Sequence, residues 1–266
     1  MADQIAAGPL PAGVEWRHWG LGEAYGGIVM SQVAAATFVV TILVSTEHAD
    51  STTFPMWLLA VSNLPLQLTL GAVALTAAAR RGGGVVRDFF VEGRWSDVWQ
   101  GLIAGVAAQF LLVPVVTLPI IWLFDIDPDE ISEAARDLTD RANDPVGIVA
   151  LVLAVAVLAP VVEELFFRGL LYGALRKREN LRWLARILPP SRCPDTTSPR
   201  WNVRFAIVGS GMIFGAIHFQ PLLFPALTAV GMLFAWLYER HGRLAFPIFA
   251  HIGFNATTVI NILVLG

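Results

Sequence analysis

The sequence is poor in charge and nearly devoid of cysteine. Asp, Glu, Lys and Arg make up 15% of its 266 residues, where a soluble domain carries about 25%. A hydrophobic fraction of 56% and a mean hydropathy of +0.63 point to a membrane protein. The single cysteine, Cys193, excludes an internal disulfide and any cysteine-based zinc site. The net charge of −3, with no basic patch interleaved with aromatics, excludes a nucleic-acid partner. There is no His-Glu-x-x-His motif and no internal repeat of the transporter kind. The N-terminus lacks a basic region, a short apolar run and a small-residue cleavage site in succession, so no removable signal peptide is expected.

What the chain does have is long apolar runs. They predict an all-α, polytopic transmembrane bundle of about seven spans, near 24–45, 55–79, 98–124, 146–175, 205–219, 222–238 and 244–265. The fourth run is about 45 Å long at the helical rise. It must tilt, kink at Pro160 or protrude. Residues 1–22, with Trp16 and Trp19 flanking Arg17 and His18, read as an interfacial segment. The stretch 85–99, which mixes Val85, Val86, Phe89 and Phe90 with Arg87 and Asp88, reads the same way. The loops at 80–97, 176–204 and 239–243 hold fourteen of the eighteen Lys and Arg residues. The positive-inside rule makes these loops cytoplasmic, and with them the N-terminus. The acidic loop 125–145 has neither the glycine nor the terminal glutamate of an EF-hand loop and reads as a solvated helical loop. Residues 1–145 are taken as an interfacial segment with three accessory spans, and 146–266 as a four-helix catalytic core.

The costly feature is Glu163-Glu164-x-x-x-Arg168 inside the fourth span. Each ionisable group at the bilayer centre costs at least about 2.5–3.5 kcal/mol. Glu164 and Arg168 are four apart on a helix and share a face, so they are expected to pair. Glu163 points about 100° away, towards a cavity or a neighbouring helix, and is the candidate general base. Two further clusters are Phe214-x-x-x-His218 in the fifth span and His251-x-x-x-Asn255 in the seventh. Counting from the basic loops at about 1.5 Å per residue puts Glu163, His218, His251 and Asn255 within about 10 Å of one another in depth. Gln109, Asn63 and Gln67 read as interhelical hydrogen-bonding glue.

This inventory supports hydrolysis by direct water attack. Glu163 can deprotonate a water, and a neutral histidine can accept a proton or ligate a metal. A second histidine and an asparagine can donate to an oxyanion. No serine or cysteine nucleophile has a nearby base. Zinc is compatible, with Glu163, His218 and His251 as ligands and water as the fourth. Metal-bound and metal-free activation are not separable from the residues alone.

These three motifs, in this order on successive apolar helices, resemble those of the CAAX-prenyl protease and bacteriocin-processing family of intramembrane proteases, over about residues 150–260. The resemblance implies a helical bundle with a catalytic cavity open towards the cytosolic side. It implies that Glu163 and His218 activate water and that His251 and Asn255 hold the oxyanion, while Glu164, Arg168 and Phe214 are read as supporting residues from their helical spacing. The leading reading is an intramembrane endopeptidase acting on a membrane-associated peptide or protein, resident in the cell membrane. Oligomeric state is not implied. Competing readings are a non-catalytic scaffold or bacteriocin-immunity protein, and a proton-coupled transporter built on the same buried Glu and His.

Overall fold

The computed structural model describes residues 19–45, 56–127, 145–177 and 199–265. Among the described residues all regular structure is helical. The helices are α1 (Leu21–Ser45), α2 (Met56–Arg81), α3 (Val85–Asp88), α4 (Trp95–Phe124), α5 (Pro145–Leu175), α6 (Pro199–Ala216), α7 (Phe224–His241) and α8 (Ala245–Leu265). Of these, α1, α2, α4 and α5 are long and apolar enough to cross a membrane. The remaining long helices, α6 to α8, coincide with the last three expected apolar runs. The expectations for residues 1–18, for most of the acidic stretch (128–144) and for 178–198 with Cys193 lie outside the described residues.

Glycine stripes set the closest helix contacts, as expected where no hydrophobic force drives apolar helices together in lipid. Gly211 and Gly215, four apart on α6, face α7. A Cβ on Gly211 would lie 2.8 Å from the carbonyl of Thr228, and one on Gly231 would lie 2.9 Å from the Cα of Gly211. On α4, Gly101 and Gly105 do the same against α8. A Cβ on Gly101 would sit 2.9 Å from the Phe246 carbonyl, and one on Gly105 would collide with the carbonyl of Ala250.

A second set of ties gathers the charged helix ends at one end of the bundle. Arg243, just before α8, makes two hydrogen bonds to Asp97 at the start of α4, at 2.6 and 2.9 Å. Arg176 and Tyr172, near the end of α5, hold Glu239 near the end of α7 at 2.9 and 2.7 Å. Arg81 at the end of α2 pairs with Glu23 at the start of α1. Lys177 donates to the Trp19 carbonyl. Arg81, Asp97, Arg176 and Arg243 therefore lie among helix ends tied to one another, in the described parts of the three basic stretches.

The segment after α2 departs from a purely interfacial reading. Val86 and Trp95 are exposed, but Phe89 is fully buried. Its ring meets Trp19 edge-on at 5.7 Å, and its carbonyl accepts from Tyr238 Oη at 3.1 Å. Gly169 makes room for it: a Cβ there would lie 2.7 Å from the Phe89 ring. The segment is pinned to α5 and α7 through this aromatic plug.

Candidate active site

The local backbone of α5 explains how it presents its charges. Two stretches, Val152–Leu158 and Leu165–Tyr172, are π-helical and flank Glu163 and Glu164. Such bulges concentrate at functional sites. The first has an identifiable cause. Pro160 has no N–H and its ring clashes with a carbonyl one turn back. In the wider register Ala159 donates to Ala154. The next donor in line would be Pro160, so the Val155 carbonyl receives no amide from its own helix. Asn255 on α8 supplies one: its Nδ2 donates to Val155 O at 2.8 Å.

The carboxylates separate as their spacing predicts. Glu164 is fully buried, and its Oε2 pairs with Arg168 Nε at 3.0 Å, also fully buried. Arg168 also donates through Nη2 to the carbonyl of Gly231 on α7 at 3.0 Å. Its guanidinium lies over the rings of Phe214, Phe234 and Phe167 at 5.1, 5.4 and 5.8 Å. These faces lend a dry cation favourable quadrupole contacts where water is excluded.

Glu164 has a second partner that spacing along one helix does not reveal. Its Oε1 lies 2.9 Å from Nδ1 of His251. With Glu164 ionised beside Arg168, the hydrogen of this contact would sit on Nδ1. Nε2 of His251 then holds the lone pair. It faces Glu163 Oε2 at 3.9 Å.

Glu163 is less buried than Glu164, its side chain 12% exposed. Its other oxygen accepts from Gln67 Nε2 on α2 at 3.1 Å. Gln67, read from sequence as interhelical glue, does join two helices, and it does so at the candidate base itself. Its apolar surroundings in α2 hid this, because a lone Gln in a span has no partner visible in sequence.

His218 is placed differently from the expectation. α6 stops at Ala216, so His218 lies in the turn that follows rather than within the helix. The turn is forced by Phe219, which adopts a left-handed φ of 52°, ahead of Pro221. The i, i+4 relation to Phe214 persists. Nδ1 of His218 lies 2.6 Å from the Phe214 carbonyl, and the two rings are 4.7 Å apart. The Phe214 ring also meets His251 edge-on at 5.7 Å. Phe214 thus touches both histidines and Arg168.

A zinc site needs three protein donors around one point. Among the described residues no three His, Cys, Asp or Glu side chains converge to hold one ion. Glu163 and His251 approach each other, and His218 does not complete a set with them as placed.

Comparison with known proteins adds to this geometry. Residues 145–257, which contain all three motifs, match the family described as type II CAAX prenyl endopeptidase Rce1-like. A Bacillus subtilis (strain 168) protein named "Putative membrane peptidase YdiL" is 31% identical over 123 residues. That alignment covers 46% of this chain and 41% of the relative, so the chain spans about two fifths of that protein's length. No solved structure matches significantly. Over residues 145–257 the chain is thus similar to a family of CAAX prenyl endopeptidases, and its long apolar helices make it an integral membrane protein.

Proposed function

We propose that the protein is an intramembrane endopeptidase that cleaves a membrane-associated peptide or protein by direct attack of water. The observation that carries this reading is the approach of Glu163 Oε2 to His251 Nε2. Two basic atoms from helices distant in sequence face each other beside a buried ion pair. Glu163 takes a proton from water, with His218 as its partner in activation. The hydroxide attacks the peptide carbonyl, and the proton passes to the leaving amine.

Donation to the oxyanion divides unequally. Asn255 uses one amide hydrogen on Val155 and has a second to give. In the tautomer with its hydrogen on Nδ1, His251 would donate from Nε2 only after gaining a proton. Zinc at Glu163, His218 and His251 requires His218 to come closer, and a chelator arm in the assay tests that dependence. The basic loops face the cytoplasm of the cell membrane in this reading, and all seven long helices span.

The test is cleavage of a panel of membrane peptides by purified protein. Glu163→Gln and His218→Ala should each abolish cleavage while the protein still folds. Full activity in either variant overturns the mechanism.

A further inference from the structure

Residues 82–94 join the ends of α2 and α4, two helices long and apolar enough to cross a membrane. So short a connection between two spans lies at the membrane boundary, at the level of the lipid headgroups. One side of it is fastened to the bundle. Phe89 is fully buried, and its carbonyl accepts from Tyr238 Oη at 3.1 Å. The next carbonyl, of Phe90, accepts from Leu244 N at 3.0 Å. A Cβ on Gly93 would lie 3.3 Å from that of Ala245. Other side chains of the segment are left open. Val86 is 64% exposed and Trp95, at the start of α4, is 82% exposed. Arg87, Val91 and Arg94 are exposed too, as is Arg80 on the last turn of α2.

The arginines at this end of the bundle fall into two groups. Arg81, Arg176 and Arg243 are committed to Glu23, Glu239 and Asp97. Arg80, Arg87 and Arg94 pair with no carboxylate among the described residues. The two acids of the connection do not neutralise them. Asp88 accepts from Gly83 N, and Glu92 stands within electrostatic range of Arg243. Three guanidinium groups thus remain beside exposed Val and Trp side chains. Guanidinium matches a phosphate oxygen pair with two parallel hydrogen bonds. Tryptophan settles where headgroup meets acyl chain, and clustered basic residues beside a span draw anionic lipid. An acidic soluble partner would match the charge but leave the apolar side chains without a use.

We propose that this connection is a binding surface for anionic phospholipids. Arg80, Arg87 and Arg94 take the headgroup phosphate, and Val86, Val91 and Trp95 meet the upper acyl chain. Phe89 packs against Gly169 of α5, so a bound lipid holds the segment against that helix and stabilises the bundle. The proposal stands whether or not the protein is a peptidase.

The experiment titrates phosphatidylglycerol and phosphatidylcholine separately into the full chain in neutral detergent. Retained lipid is read by native mass spectrometry, and the melting temperature is followed in parallel. Wild type should retain phosphatidylglycerol in preference and melt higher with it. A variant combining Arg80→Gln, Arg87→Gln and Arg94→Gln should bind phosphatidylglycerol at least about tenfold more weakly, given about fivefold for each basic residue near an anionic surface. It should also lose the rise in melting temperature. A control combining Arg204→Gln and Arg240→Gln, also exposed arginines, should bind like wild type. Wild-type retention by the triple variant overturns the proposal. An equal loss in the control does so as well, because it marks diffuse charge rather than a site. Equal retention of the two lipids by wild type, the result if an acidic protein covers this face, also overturns it. If the triple variant does not fold, the three single substitutions decide, each expected to weaken binding about fivefold.

Discussion

Asn255 donates its side-chain amide to the carbonyl of Val155 across the α5–α8 interface at 2.8 Å. That carbonyl lacks a helical donor because Pro160 stands where the donor should be. Asn255 thus repairs the helix that carries Glu163, whatever else it does. Asn255→Ala should destabilise the protein by about 0.5–1.5 kcal/mol, the net contribution of one hydrogen bond. The loss should shrink in a Pro160→Ala background, where residue 160 regains an N–H. A double-mutant cycle on thermal stability measures the coupling, and additive effects would disprove the repair.

Glu164 bridges Arg168 and His251, so its loss should affect both stability and rate. Glu164→Gln should lower the melting temperature and also reduce cleavage about 10- to 100-fold, as removal of a residue that orients a working histidine does. Glu163→Gln should stop cleavage with little effect on melting. Identical behaviour of the two variants in melting and cleavage would show that the spacing does not divide their roles.

Arg168 is surrounded by aromatic faces and has one anionic partner. Arg168→Met removes the cation and leaves the Glu164 carboxylate buried and unpaired, at a cost of about 3–5 kcal/mol. Adding Glu164→Gln should recover part of that loss. Chemical denaturation of the single and double variants in one detergent makes the comparison. A double variant no more stable than the single would argue against a pair.

The glycine positions divide sharply. Gly105→Ala drives a methyl into the Ala250 carbonyl and should destabilise the protein by about 1–3 kcal/mol, the usual penalty for overpacking. Gly26→Ala, where a Cβ meets nothing within 4 Å, should be neutral or stabilising by up to about 1 kcal/mol. Melting curves should show Gly105→Ala lowered and Gly26→Ala unchanged or raised.

Much was legible in the sequence for reasons of periodicity and charge. Apolar runs marked the long helices, because length and hydropathy are local properties. The i, i+4 spacing of Glu164 and Arg168 announced their ion pair, which closes within one helix. The depth count brought Glu163 and His251 to one level, because the rise per residue is constant. The resemblance of the three motifs to those of a known family needed no coordinates at all.

Other relationships belonged to the tertiary structure, because they join helices whose rotation about their own axes no local pattern sets. The second partner of Glu164 is one, and the amide of Gln67 on Glu163 another. The commitment of Asn255 to Val155 depends on a π-helical register that only the packed α5 reveals. The position of His218 beyond the end of α6 was decided by a left-handed turn at Phe219. A non-glycine residue there adopts a conformation its own preferences disfavour, so the residue type alone gives no sign of the turn.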